Sequence, residues 1–229
     1  MGLLAVGVFA VAAQVSGQSL TLNPATGASP AFASQIGVRY RAFNRPADQE
    51  VYIGTNLGSA SGRAAANIAY ATLPPANPFT IEYDSVAGEL STTIGGTTTV
   101  YAWTPTTATE LRIGLSARSI NASTTATATV ADLFLDGAPL GGAPLSVSSS
   151  TSAVVSGLWS LGGYDFTTDF TLTGSLNLTA ASTFSTSAES SKVEFYFGNP
   201  VPEASTWAAL GAMAAIGAWQ WNRRRPGSR

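Results

Sequence analysis

Paired carboxylates are the first residues in this sequence that could do chemistry. Glu82 and Asp84 lie on one face of a predicted strand with Glu89 across the following turn, and Asp165 and Asp169 flank a short aromatic stretch. Two carboxylates that face each other can hydrolyse a glycosidic bond. Neither group has a local pattern that distinguishes it from ordinary surface acids. We therefore expect no catalytic residue among them and no enzyme.

The chain contains no cysteine and no histidine. Without cysteine it can form no disulfide, no thiolate nucleophile and no cysteine-based metal site. Without histidine it lacks the usual general base and the usual zinc ligand. Serine is plentiful, but there is no Gly-x-Ser-x-Gly motif of a nucleophilic hydrolase. The sequence therefore predicts neither a cofactor nor nucleophilic catalysis.

Calcium is the ion that the remaining side chains would suit best, because it prefers hard oxygen ligands. Asp132 with Asp136, or Asp165 with Asp169, could supply two oxygens each. A calcium site takes about six to eight oxygens, and no dense Asp/Asn loop of the EF-hand type is present. Asp132 and Asp136 are thus weak calcium candidates, and no bound metal is predicted.

Aromatic side chains could instead bind a sugar by stacking. Tyr101 and Trp103 share a strand face, and Trp159 and Tyr164 lie close together in the segment LWSLGGYDF. Flat exposed rings can stack on sugar rings, but large rings more commonly pack in a core. Both interpretations stay open, with Trp103, Trp159 and Tyr164 as the candidate sugar-stacking residues.

Alternation of apolar and polar residues indicates the β-strands that must position these side chains. Threonine fills many of the polar positions, where its branched side chain suits the pleat and its hydroxyl stays solvated. A period of two means one buried and one solvated face, which is typical of antiparallel sheets. The clearest alternating segments are residues 36–43, 79–84, 111–116, 170–179 and 193–197.

Turn-forming residues separate these segments. Asp84–Gly88 predicts a hairpin, Gly95-Gly96 a two-residue turn, and Asp136-Gly137 with Gly141-Gly142 brackets another turn. Many short strands with such turns favour an all-β, antiparallel β-sandwich of jelly-roll type. The segment Ala64–Ala71 could form a short helix or a further strand.

The chain divides into three parts by composition. Residues 1–17 contain an apolar run, Leu3–Ala13, of signal-peptide length, although no basic residue precedes it. Residues 18–198 form the predicted exported β-sandwich domain. Residues 199–229 form a C-terminal tail that contains a predicted transmembrane-type helix.

The tail has the features of a membrane span. The uncharged run Ala204–Asn222 would be roughly 28 Å long as a helix, which nearly matches the ~30 Å hydrocarbon core of a bilayer. Tryptophan is favoured at the membrane–water interface, and basic residues beside a membrane span stay on the cytoplasmic side. The span ends are marked by Trp207, Trp219 and Trp221, and the cytoplasmic stop is Arg223, Arg224 and Arg225.

The order of parts in the tail resembles the PEP-CTERM sorting signal. The motif residues are Val201, Pro202 and Glu203, and Ala204 stands where the family usually has a second proline. The resemblance implies an exported protein that is cut by an exosortase-type membrane enzyme. It also implies a place in the envelope or exopolysaccharide matrix of a Gram-negative bacterium.

The body has a second resemblance, to the exported "choice-of-anchor" β-sandwich domains attached to such tails. It is carried by FTIEYDSVAGELSTTI, VYAWTPT, LFLDG, FTLTGSLNLT and KVEFYFGNPVPE. This resemblance implies a fold and a location, but no activity.

The low charge of the chain bears on its possible partners. Only 10% of the residues are charged, against about 25% in typical domains, and much of the basic charge lies in the tail. Such a body has no basic surface for nucleic acid. We therefore expect an exported structural or adhesive protein, with the membrane, the processing enzyme and exopolysaccharide as partners. The alternative is a non-catalytic carbohydrate-binding module that uses exposed aromatics.

Overall fold

The computed structural model describes residues 21–24, 32–43, 50–68, 77–119, 125–179 and 189–201. These ranges contain strands, turns and one short 3-10 turn, Ala60–Gly62, but no α-helix. The strands form two sheets, and all their pairings are antiparallel. The prediction of an all-β, antiparallel fold is confirmed.

The first sheet contains seven of the described strands. In order across the sheet they are β1 (Asn23–Pro24), β12 (Val155–Gly162), β8 (Glu110–Ala117), β14 (Glu189–Pro200), β2 (Phe32–Phe43), β3 (Glu50–Gly54) and β4 (Arg63–Asn67). The last described strand, β14, therefore lies at the centre of the sheet, between β8 and β2.

The second sheet also contains seven of the described strands. Six of them follow one another as β10 (Ala138–Pro139), β9 (Ala126–Leu135), β13 (Phe170–Thr179), β5 (Asn77–Asp84), β6 (Glu89–Ile94) and β7 (Thr97–Ala102). The seventh, β11 (Leu145–Ser149), also pairs with β9. From β8 onward the chain passes repeatedly between the sheets, because β9, β12, β13 and β14 alternate between them.

The two sheets enclose a common apolar core. Rings from both sheets meet there: the centroid of Phe79 on β5 lies 5.6 Å from that of Tyr40 on β2 and 5.2 Å from that of Phe195 on β14. The apolar residues of the predicted alternating segments supply this core. Those with no exposed surface include Ile36, Val38, Tyr40, Ile81, Leu111, Ile113, Leu172, Leu176, Val193, Phe195 and Phe197.

A bulge in β9 changes which residues of the strand face the core. Thr173 of β13 faces Phe134, and Ser175 faces Ala131, so Gly174 faces the two residues between them. One of these is Asp132, whose φ of 51° lies in the left-handed region. Before the bulge the buried residues of β9 are even-numbered, and after it they are odd-numbered. The sequence pattern alone did not predict this change.

The structure shows the backbone of two predicted turns and part of the segment for which helix and strand were both left open. Gly95 and Gly96 both have positive φ, as a tight hairpin turn requires, and so do Asp136 and Gly137. The segment Ala64–Ala71 begins as strand β4, which ends at Asn67. Residues 69–76 lie outside the described part of the chain.

The predicted targeting segments also lie outside the described residues. These are Leu3–Ala13 and the tail from Pro202 onward, including the tryptophans and arginines assigned to the span and the stop. Val201, the last described residue, is partly exposed. None of the described residues belongs to a helix that is long and apolar enough to cross a membrane.

Candidate functional site

The two outer surfaces of the sandwich differ in chemistry. We call the outward side of the first sheet the charged face and the outward side of the second sheet the hydroxyl face. Arginine, glutamate and tyrosine dominate the charged face, whereas threonine and serine dominate the hydroxyl face.

The charged side chains of the charged face form ion pairs with one another. Arg39 Nε donates to Glu194 Oε1 at 2.6 Å, and Arg112 Nε donates to Glu110 Oε1 at 2.6 Å. The Tyr196 hydroxyl also donates to Glu194. Burial, together with the charge of Glu194, raises the pKa of Tyr196 to about 12. These side chains are half-buried or buried, so their main partners are one another.

Tyr52 organises the other end of the charged face. The guanidinium carbons of Arg41 and Arg63 lie 4.6 and 3.8 Å from the centroid of its ring. Its hydroxyl donates to Glu50, which also accepts a 2.7 Å hydrogen bond from Arg41 Nε. Burial and then this bond raise the pKa of Tyr52. The cluster fixes strands β2, β3 and β4 to one another.

A loop closes over part of the charged face. Leu57, between β3 and β4, is buried, and its carbonyl accepts a 2.6 Å hydrogen bond from Arg63 Nη1. Its side chain lies above Gly37, where an added Cβ would come within 2.9 Å of Leu57 Cδ1 and of Tyr196 Cδ1. We interpret the charged face as a second layer of packing rather than as a binding site.

The hydroxyl face carries one continuous row of outward residues across six strands. Strand register aligns Pro139 with Phe134, Phe134 with Thr173, Thr173 with Thr80, Thr80 with Thr93, and Thr93 with Thr98. Pro139, Phe134 and Thr98 are exposed, with Phe134 at 38%, and the three threonines between Phe134 and Thr98 are half-buried. Neighbouring strands are about 4.8 Å apart, so the row is roughly 24 Å long. We call these six residues the cross-strand row.

Further hydroxyl rows continue beside β9. Thr129 lies opposite Ser146 on one side and Asn177 on the other, and Thr127 lies opposite Ser148 and Thr179. Neighbouring hydroxyls bond to each other, at 2.9 Å between Thr129 and Ser146 and at 2.8 Å between Thr93 and Thr98. These bonds hold the side chains in defined rotamers.

Carboxylates collect at one end of the second sheet, where they line an open cleft with Val86 and Thr171. They are Glu82, Asp84, Asp136 and Asp169. Asp169 Oδ1 accepts hydrogen bonds from the Ser85 hydroxyl and, at 2.7 Å, from the Ser85 N–H. These two bonds lower the pKa of Asp169. A general acid of a glycosidase needs a raised pKa. Asp169 therefore stays ionised, which does not suit that role.

Most of the other predicted acids have structural partners. Asp84 Oδ1 accepts from two N–H groups of its own turn, and Asp165 Oδ1 accepts from the N–H and the hydroxyl of Thr167. The two Thr167 bonds lower the pKa of Asp165. Glu89 is exposed at the start of β6. These contacts support turn structure and do not assemble a catalytic pair.

The two weak calcium candidates have different partners. Asp132 accepts a 3.1 Å hydrogen bond from Ser175 Oγ, whereas Asp136 accepts from the Tyr164 hydroxyl and from the Thr171 N–H at 2.8 Å. The two carboxylates therefore bond to positions four residues apart on β13. No group of three potential metal-ligating side chains occurs among the described residues.

The structure corrects one of the sugar-stacking candidates. Trp103 is only 6% exposed, and its ring packs in the core at 4.9 Å from Tyr83 and 6.1 Å from Phe197. Tyr101 and Trp103 do share a face, as predicted, but that face points inward. Trp103 therefore has little free ring surface, and of the two interpretations left open for it the structure supports core packing.

Trp159 and Tyr164 are half-buried. The Trp159 ring lies over Gly157, where an added Cβ would come within 2.4 Å of the ring, and it packs against the core. Tyr164 packs on Phe166 at 4.7 Å and donates its hydroxyl to Asp136. Burial, and then Asp136, raise the pKa of Tyr164. Neither ring belongs to the cross-strand row.

The cross-strand row was missed by sequence reasoning. Threonine was expected on solvated strand faces, but which threonines become neighbours depends on strand register. The bulge in β9 places Phe134 outward, and no alternation pattern signals it. Phe134 is an exposed aromatic residue of the described part of the chain that the sequence analysis did not single out.

No protein-family model matches the chain, and no curated protein is similar enough to count as a match. Any function is therefore inferred from the residues themselves and from their geometry.

Proposed function

We propose that this chain is an exported, non-enzymatic structural or adhesive protein of a Gram-negative cell envelope or exopolysaccharide matrix. Its body is a jelly-roll-like β-sandwich that contacts the matrix through the hydroxyl face. Its tail acts as a PEP-CTERM-like sorting signal. The sandwich supplies the adhesive surface, and the tail supplies the location.

The observation that carries the adhesive role is the contrast between the two outer faces. Charged groups on the first sheet bond to one another, as Arg39 does with Glu194 and Arg112 with Glu110. The hydroxyl face instead presents an uncharged row across six strands, with exposed residues at both ends and half-buried threonines between them. Each hydroxyl on this face can both donate and accept, so it can still bond to an external polar partner while bonded to its neighbour.

The sorting role is supported by the sequence that follows the sandwich. β14 is the central strand of the first sheet and ends at Pro200, immediately before Val201, Pro202 and Glu203. We propose that Pro202 and Glu203 are recognised by an exosortase-type enzyme. Residues 204–222 would then span the inner membrane before cleavage, and the three arginines that follow would stay cytoplasmic.

Cell fractionation tests the sorting role. We compare the wild type with a chain truncated after Val201, which keeps β14 intact, and with Glu203→Ala in the motif. The wild type should be recovered with the membrane or outer envelope, and the truncated chain in a soluble exported fraction. Glu203→Ala should accumulate as an uncut membrane form, detected by its intact mass. Equal membrane association of the wild type and the truncated chain would rule out the tail as an anchor.

A further inference from the structure

We propose that the cross-strand row binds a linear, neutral polysaccharide whose chain runs across the strands, with about one sugar per strand. This inference names the partner of the hydroxyl face and in that respect rests on the proposed function. It does not depend on the sorting tail. The binding surface is Pro139 and Phe134, followed by the four threonines at 173, 80, 93 and 98.

The geometry of the row matches a repeating chain. Successive residues lie on neighbouring strands at intervals of about 4.8 Å. A pyranose in a linear polysaccharide advances the chain by a comparable distance. A ligand that follows the row can therefore contact one residue on each strand at intervals close to its own repeat, whereas residues on one face of a single strand are about 6.8 Å apart.

The chemistry of threonine suits a neutral sugar polymer. Each hydroxyl can donate one hydrogen bond and accept others, as a sugar hydroxyl does. The methyl group beside it contacts the C–H surface of the ring. Thr93 and Thr98 are held by their mutual 2.8 Å hydrogen bond, so little side-chain entropy remains to be lost on binding.

Phe134 supplies the stacking surface at one end of the row. Its ring is exposed, lies beside Thr173 on β13 and is flanked by Pro139 on β10. An aromatic ring next to a line of hydroxyls provides both apolar contact and directional hydrogen bonds. Val100, 43% exposed on β7, adds apolar surface near the other end.

Charge favours a neutral ligand over an anionic one. The row itself contains no charged residue, whereas Glu82 occupies the neighbouring position on β5 and Asp84 and Asp169 lie beyond it. An anionic polymer along the row would approach these carboxylates and be repelled. A neutral polymer has no such cost, and its binding should persist at high salt.

The test is retention of the full chain, kept in mild detergent, on insoluble cellulose, chitin and curdlan. One variant, Thr80→Val with Thr93→Val, removes two hydroxyls and keeps the side-chain shape. Phe134→Ala removes the stacking ring. The matched control is Ser156→Ala, which removes an exposed strand hydroxyl from the opposite face. Thermal unfolding of each variant establishes that it is folded.

We expect the wild type and Ser156→Ala to be retained equally on at least one neutral polymer. The threonine double variant should bind about tenfold more weakly, since each lost hydrogen bond should weaken binding about threefold or more. Phe134→Ala should also bind more weakly. No retention on any of the three polymers, or equal binding by folded variants, overturns the proposal. Equal retention on alginate, an anionic polysaccharide, also overturns it. The fractionation result is independent of all these outcomes.

Discussion

The hydroxyl of Tyr40 on the first sheet forms a hydrogen bond with the hydroxyl of Thr92 on the second sheet, across the middle of the core. Both residues are fully buried. Thr92 Oγ1 donates its own proton to the Thr80 carbonyl at 3.0 Å, so Tyr40 is the donor in the bond between the sheets. This polar contact links the core to β5, the strand that carries Thr80 of the cross-strand row.

The bond between Tyr40 and Thr92 predicts an asymmetric response to substitution. Thr92→Val removes the acceptor and leaves a buried phenol hydroxyl, which should cost about 1–3 kcal/mol. Tyr40→Phe leaves Thr92 bonded to the Thr80 carbonyl and should cost only about 1 kcal/mol. Urea denaturation of both variants and of the double variant measures the difference. A larger loss for Tyr40→Phe would contradict the assigned direction of the bond.

Alkaline pH should unfold the protein through its buried tyrosines. Burial raises the pKa of Tyr40, and burial together with Glu194 raises the pKa of Tyr196 to about 12. The folded state therefore holds these phenol protons more tightly than the unfolded state. This stabilisation is fully present below the unfolded pKa of about 10 and is lost as pH rises through the folded values.

We expect the urea midpoint to fall as pH rises above about 10, and Tyr40→Phe to fall less steeply. Tyrosine ionisation can be followed by ultraviolet absorbance in the same samples. A midpoint that stays constant through this range would show that the phenols ionise without unfolding.

Acid should weaken the link between the β5–β6 turn and β13. The Ser85 hydroxyl and N–H hold the pKa of Asp169 below its ordinary value. This contribution is present above the unfolded pKa of about 3.9 and is lost as pH falls through the folded pKa. Asp169→Asn should lower the melting temperature at neutral pH, and the difference from the wild type should narrow in acid. Glu82→Gln, from the same cleft, is the control and should leave the neutral melting temperature nearly unchanged.

Two glycines at strand ends should differ sharply in how well they tolerate substitution by alanine. At Gly54, the end of β3, an added Cβ would lie 2.1 Å from the Gly62 carbonyl oxygen. Backbone cannot move aside easily, so Gly54→Ala should destabilise the fold by about 1–3 kcal/mol or more. At Gly162, the end of β12, an added Cβ has no heavy atom within 4 Å. Gly162→Ala should change the free energy of unfolding by less than about 0.5 kcal/mol. Similar losses at both positions would contradict the steric explanation.

A substitution on β7 should stabilise the protein. Thr99 is buried, and its hydroxyl has no hydrogen-bond partner among the described residues. Thr99→Val replaces that hydroxyl with a methyl group of similar size and should raise the free energy of unfolding by up to about 1 kcal/mol. Thr98→Val on the exposed side of the same strand is the comparison, and it should gain no stability because it loses the bond to Thr93. A destabilised Thr99→Val would mean that the hydroxyl is satisfied in solution.

Local patterns predicted the strands well because alternation is a property of neighbouring residues. Segments 36–43, 79–84, 111–116, 170–179 and 193–197 all lie in strands, with the expected apolar residues inward. Such a pattern says which residues share a face but not which face meets water at a strand end. For that reason the pattern placed Trp103 on the face of Tyr101 but left open whether that face binds a sugar or packs in the core.

The sequence by itself determined an antiparallel all-β body, with tight turns at residues such as Gly95 and Gly96, and a chemistry without cysteine or histidine. These follow from composition and from interactions between near neighbours. Only the tertiary structure decided that Thr80, Thr93 and Thr173 stand in one row with Phe134 at its end. That row depends on strand register and on the bulge at Asp132, which are set by pairing between segments up to about a hundred residues apart.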